Sequence, residues 1–204
     1  MNCNATKRFV LLSAIALAFR LDLCPALAAP KISAEDAARL AAGEAIVRVT
    51  EDDSGGADGR IEAAIDIKAS PESIYAVMID CQRALKFVAG LRSCKVLESS
   101  KDGLSDVREH RSKWLSILPE TVSVFRSEYV PGRQIRFEKL RGDFRVLKGS
   151  WQLESVRGGT STRVYYDARV GISTPVPGFM IRGALEQDVP KLLQALRTEV
   201  LKGP

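Results

Sequence analysis

Histidine is almost missing from this chain: the 204 residues hold one, His110. A metal centre built of imidazoles is thereby excluded, and any histidine-based acid or base must be that residue. Cysteine is scarce as well. Of the four present, two fall in the first 28 residues, and the remaining pair, Cys81 and Cys94, has no CxxC spacing. No G-x-S-x-G elbow, phosphate-binding glycine loop or metal-ligand cluster occurs, so neither a metal nor a cofactor is expected. Charge of one sign is also in short supply. The formal net charge of +5 is too small a surplus to argue for a nucleic-acid partner. Long apolar runs are lacking too: the stretch Phe9 to Phe19 is too short to span a bilayer. Internal repeats and low-complexity tracts are absent.

What is present begins with a leader. Lys7 and Arg8 precede that apolar run, and Ala26-Leu27-Ala28 follows as a small-residue site, so residues 1–28 read as a secretory signal cleaved after Ala28. Cys24 raises the question of a lipoprotein signal, but Leu23 before it is bulky where a small residue is wanted. Cleavage leaves 27 basic against 24 acidic residues, a net +3. The expected location is the periplasm or the exterior, where an even pair of cysteines reads first as a disulfide, here Cys81–Cys94. The mature length suits one domain with a sizeable core.

Residues 29–59 read as an N-terminal extension with a helix over Ser33–Ala42 and a strand over Ala45–Thr50. Arg60 to Ala69 alternates cleanly: Ile61, Ala63, Ile65 and Ile67 predict a core face, and Arg60, Glu62, Asp66 and Lys68 a water face. Ser70-Pro71-Glu72 then launches a helix expected to run to Cys81, with a second short helix over Leu85–Val88. Six strands follow, at Cys94–Ser99, Asp106–Lys113, Thr121–Val130, Gln134–Leu140, Val146–Val156 and Ser161–Ile172, separated by Gly- and Pro-bearing turns. Val107 to Lys113 is polar on both faces, which suits either a sheet edge or the wall of a wet cavity. The last element, Pro177 to Leu201, carries Leu185, Val189, Leu192, Leu193, Leu196 and Val200 on one helical stripe. Glu186, Gln187, Lys191, Gln194, Arg197 and Glu199 are expected on the other face. Pro190 predicts a bend or a break into two pieces.

The resulting order is a strand, two helices, a six-strand antiparallel meander and a long terminal helix: an α+β fold. Its wording resembles the helix-grip fold of the START/Bet v 1-like (SRPBCC) superfamily, in the polyketide cyclase/dehydrase and coenzyme-Q-binding START-like branch. The residues that carry the resemblance are ASPESIYAVMID at 69–80, RALKFVAGLRSCKVL at 83–97, RGDFRVLKGSWQL at 141–153, TRVYYDARV at 162–170 and PVPGFMIRGALEQDVPKLLQALRTEV at 175–200. They cover nearly all of residues 60–201. The resemblance implies an antiparallel curved sheet around the C-terminal helix, with an apolar cavity between them.

Phe125, Phe137, Trp151, Tyr166, Leu185 and Val189 are the residues expected to line that cavity, although each taken singly is ordinary core. A lipid, quinone or isoprenoid is the expected ligand class, and a binding or carrier role the expected function. Two other functions stay open. One is a cyclase-, dehydrase- or hydrolase-like enzyme, for which Glu109, His110 and Glu128 are the weak acid–base candidates, since no motif marks a catalytic residue. The other is a protein-interaction module of the envelope. Meander topology gathers three loops at one end of the sheet, and these bring together Trp114, Leu115, Ile117, Leu118, Phe144, Phe179, Met180 and Ile181. Lys113, Arg141, Arg145 and Arg182 form a basic rim around them. That composition suits peripheral contact with an anionic membrane, or alternatively an apolar plug for the end of the core.

Overall fold

The computed structural model describes residues 32–51, 58–113, 120–173 and 178–203. Eight strands form one antiparallel sheet: β1 (Ile46–Glu51), β2 (Asp58–Ile67), β3 (Leu91–Ser99), β4 (Ser105–Ser112), β5 (Thr121–Val130), β6 (Gln134–Gly142), β7 (Phe144–Val156) and β8 (Ser161–Ile172), in the order β1-β2-β8-β7-β6-β5-β4-β3. All eight expected strands are present, and the sheet is the open, curved sheet of the helix-grip expectation. The meander leaves β3 and β1 as its two edges, so the polar β4 is not an edge strand; it lines a cavity.

Four helices complete the fold: α1 (Ala34–Ala41), α2 (Pro71–Ile79), α3 (Cys81–Phe87) and α4 (Gly178–Leu201). Ser70 caps α2, its hydroxyl accepting from the Ser73 amide at 3.2 Å, with Pro71 in the first turn. The helix ends earlier than expected. Asp80 leaves helical geometry and its carboxylate accepts from the amides of Gln82 at 2.7 Å and Arg83 at 3.1 Å, so α3 starts at Cys81. Cys81, at the start of α3, is bonded to Cys94 of β3. The expected disulfide is therefore present and ties the helical layer to an edge strand.

The terminal helix is a single piece. Pro190 lies inside it, but the carbonyl it leaves without a helical donor belongs to Glu186, an exposed residue whose backbone water can reach. Val189 and Leu193, both buried, hold the helix on the sheet on either side of the proline. Leu185, Val189, Leu193, Leu196 and Val200 join Ile61, Ile65, Ile67, Ile74 and Val164 in the main core, between the sheet's inner face and the helices.

The outer face of the sheet departs from the alternation reading. Asp66, expected in water, is buried, and so are Ala64 and Tyr165 on the same side. For Ala64 and Tyr165 the reason is α1, which packs across β1, β2 and β8 and buries Leu40 with Ile46, Ala64 and Tyr165 in a second, smaller core. Asp66 is matched there by Arg163, whose Nε donates to it at 2.7 Å, and by Arg157 at 3.4 Å. Asp36 of α1 is likewise buried against Arg48 of β1. Glu199, also expected on the polar side of α4, is buried where the last turn meets α3. It accepts from Arg83 at 3.2 Å and from Lys202 at 3.0 Å.

β6 and β7 pair only from Gln134–Gln152 to Glu138–Lys148, while β6 stays on β5 as far as Gly142 and β7 stays on β8 as far as Phe144. Beyond the Glu138–Lys148 pair the β6–β7 ladder ends, and Gly142, Asp143 and Phe144 turn the chain from one strand into the next. β7 runs so close to β8 at Gly149 that a Cβ there would lie 2.3 Å from the Asp167 carbonyl oxygen, which excludes any side chain.

Candidate functional site

Between the inner face of the sheet and α4 lies a cavity of about 180 Å³. Period-2 alternation sends one aromatic ring into it from each of four neighbouring strands: Phe125 of β5, Phe137 of β6, Trp151 of β7 and Tyr166 of β8. The rings form a continuous stripe. Trp151 and Tyr166, direct partners in the ladder, stack at 4.0 Å, and Tyr166 stacks on Phe137 at 6.3 Å. Phe137 meets Phe125 edge-on at 6.3 Å, and the His110 ring continues the row onto β4, edge-on to Phe125 at 4.7 Å. Such pairs contribute about 0.5–1.5 kcal/mol each beyond their buried area, which keeps the wall stiff. Leu185, Asp188, Val189 and Leu192 of α4, at helical spacing, form the opposite wall. All six residues expected around a cavity thus line one, and Met78, Phe87, Phe144 and Leu147 join them.

Polar groups are few and concentrated on β4 and β5. Arg108, His110 and Ser112 point inward from β4, and Ser123, Ser127 and Tyr129 from β5. Alternation alone places Arg108 and Ser112 beside His110, two positions away on either side, so these residues were findable in the sequence. Arg108 is buried but not a free cation. Its Nε donates to both Asp106 carboxylate oxygens, at 3.0 and 2.9 Å, and its Nη2 donates to Asp106 and to the Ile79 carbonyl, each at 2.7 Å. The Tyr129 hydroxyl donates to the same carboxylate at 2.7 Å. Burial, with that hydrogen bond, pushes the Tyr129 phenol far above its ordinary range, so it remains a donor. Burial first, then the neighbouring Asp167 charge, does the same for Tyr166.

His110 behaves differently. Its Nε2 is buried and has no hydrogen-bond partner. Burial first, then the nearby Arg108 charge, pulls its pKa down to about 4, so the ring is neutral at physiological pH. Directly opposite His110 in the ladders stand Cys94 of β3, held by the disulfide, and Ser123 of β5.

Two of the three acid–base candidates are elsewhere. Glu109 follows the opposite parity of β4 onto the outer face, where Arg111 donates to it at 2.9 Å. Glu128 is exposed on the outer face of β5, beside Arg126 and Arg136. Adjacent residues on a strand face opposite ways, so Glu109 and His110 do not form a pair in the cavity. Among the described residues no three His, Cys, Asp or Glu side chains converge as a metal site.

The expected docking residues divide. Phe179 is 66% exposed and Met180 45%, at the start of α4. Ile181 is buried in the main core, because it falls on the helix stripe one turn before Leu185. Phe144 also turns inward, onto the cavity. Trp114, Leu115, Ile117 and Leu118 lie outside the described residues. Among those described, no helix is long and apolar enough to cross a membrane.

The comparisons match this geometry. The family model described as polyketide cyclase/dehydrase and lipid transport matches residues 67–197. Among solved structures, the chain is similar to a START superfamily protein from Mycobacterium smegmatis, at 20% identity and a TM-score of 0.62 over 70% of this chain and 97% of that one. It is also similar to a STAR-related lipid transfer protein from Xanthomonas axonopodis, at 13% identity and a TM-score of 0.61 over 76% and 98% of the two chains. The Zhui aromatase/cyclase from Streptomyces sp. R1128 shares 14% identity and a TM-score of 0.57 over 71% and 92%. At these identities the likeness establishes the fold. No curated protein sequence matches the chain.

Proposed function

This chain belongs to the polyketide cyclase/dehydrase and lipid transport family, and from that premise we propose that it is an exported carrier of a hydrophobic ligand, a lipid, quinone or isoprenoid. The observation that carries the reading is the cavity itself, walled by aromatic rings on one side and by the apolar stripe of α4 on the other. Few, localised polar groups in an apolar hollow are what an amphiphile with one polar end needs. At about 180 Å³ the hollow is smaller than the roughly 300–1,000 Å³ of pockets that enclose drug-sized molecules. It therefore fits a slender ligand, or one end of a longer one.

Export is supported by the leader features of residues 1–28 and by the disulfide, a bond that persists in oxidising compartments. Membrane contact is supported by Phe179 and Met180, exposed at the start of α4. An enzymatic role would have to run on His110 without the two glutamates, and the carboxylate two strand positions from Arg108, Asp106, is engaged by Arg108 and Tyr129. Native mass spectrometry of protein purified from the periplasm or medium tests the carrier. Adducts with the mass of an apolar small molecule, removed by organic extraction, are expected. A protein that stays empty after incubation with membrane lipid extract is not a carrier.

A further inference from the structure

Among the described residues, His110 lines the cavity and its buried Nε2 has no hydrogen-bond partner. An unmade hydrogen bond in an apolar setting is destabilising, so such an atom is expected to meet a partner when the cavity fills. Resting on the carrier reading, we propose that His110 and Ser123 form the polar subsite of the cavity, and that it takes the hydroxyl or carbonyl oxygen of an uncharged amphiphile and rejects carboxylate and phosphate heads.

The argument is one of charge. An anion taken from water into this hollow needs an uncompensated cation, because a buried unpaired charge costs several kcal/mol. The walls supply none. Among the described residues Arg108 is the one cationic side chain lining the cavity, and Asp106 neutralises it by accepting from both its Nε and its Nη2. Asp188, from α4, adds a carboxylate whose partner Lys191 stands 3.1 Å away on the outside of the helix. His110, kept neutral by burial, offers one nitrogen that donates or accepts but no charge. Ser123, directly across the ladder from His110, is buried and has a hydroxyl of the same neutral kind. A carboxylate at this place would add a second negative charge beside Asp106. A hydroxyl or ketone adds none, and either satisfies His110.

The test uses four twelve-carbon ligands that differ only at one end: dodecane, dodecan-1-ol, dodecan-2-one and dodecanoate. Each competes with the uncharged dye Nile red for the purified protein at pH 7.5. The alcohol and ketone are expected to bind at least ten-fold more tightly than dodecanoate, and also more tightly than dodecane. In His110→Phe, which fills the space without a hydrogen bond, the advantage of the alcohol over dodecane should disappear while Nile red still binds. His110→Gln, neutral and hydrogen-bonding, should restore part of it. Dodecanoate binding as tightly as the alcohol would overturn the inference and leave the carrier standing. An alcohol-to-dodecane ratio unchanged in a His110→Phe protein that still binds Nile red would do the same. Failure of Nile red and all four ligands to bind the wild-type protein would instead remove the carrier reading, and the subsite with it.

Discussion

His110 shows what the position of one side chain costs and provides. In the unfolded chain its pKa has the ordinary value of 6.5, and in the fold it falls to about 4, chiefly through burial. Below pH 6.5 the unfolded state therefore binds more protons than the native state. The histidine's contribution to stability is complete above pH 6.5 and is lost as the pH falls toward 4, a difference of at most about 3 kcal/mol. Urea unfolding at pH 7 and pH 4.5 should show the wild type losing about 2 kcal/mol more than His110→Phe. Parallel losses would mean that the ring is hydrated. Along the same strand, the step from His110 to Glu109 moves a side chain from the cavity to the outer surface. Alternation made that parity legible, and it is why two neighbouring titratable residues have unrelated roles.

Among the elements, α3 and β3 form the most constrained pair. Asp80 ends α2 and caps α3, which places Cys81 over β3 with its Cα 5.3 Å from that of Cys94. The bond closes a loop with a sequence separation of 13. In the chain-entropy account such a loop stabilises by about 3 kcal/mol. Reductant, or the double substitution Cys81→Ala with Cys94→Ala, should then lower Tm by about 10 °C in a scanning measurement. An unchanged Tm, or ready labelling of both thiols without reductant, would contradict the bridge. The sequence held the pair but not the helix boundary, because a continuing helix and a capped restart share the same apolar residues and differ in the φ and ψ of Asp80. At the other end of the chain α4 stays whole across Pro190. Propensity argued for a break, but burial on both sides of the proline outweighed it.

For the whole molecule, the exposed apolar residues at the start of α4 set one region of the surface apart. We expect the start of α4 to dock on membranes, since Phe179 and Met180 offer apolar surface with Arg182 close by in the chain. Phe179→Asp combined with Met180→Ser should reduce co-sedimentation with vesicles of mixed phosphatidylglycerol and phosphatidylethanolamine at least ten-fold, while leaving Tm and bound ligand unchanged. Wild-type protein that ignores such vesicles would exclude docking by this face. Ile181 cannot share that task, because it is packed in the core one turn away.

The number and order of the strands, the inward set of Phe125, Phe137, Trp151 and Tyr166, and the stripe of α4 were all determined locally, while strand ends such as Leu91 of β3 and Phe144 of β7 fell up to three residues from the expected ones. Each follows from a repeat of two or of 3.6 residues, which the backbone imposes whatever surrounds it. Tertiary structure decided what stands over each face. Tyr165 is buried because α1 returns across the outside of the sheet, Asp66 where Arg157 and Arg163 close on it, and Glu199 where Arg83 arrives from α3, more than a hundred positions away in the chain. The same long-range packing joined Asp106, Arg108, Tyr129 and the Ile79 carbonyl into one neutral cluster and left His110 beside it without a partner. A pattern along the chain gives a side chain its direction, but burial and charge depend on what the fold brings to meet it.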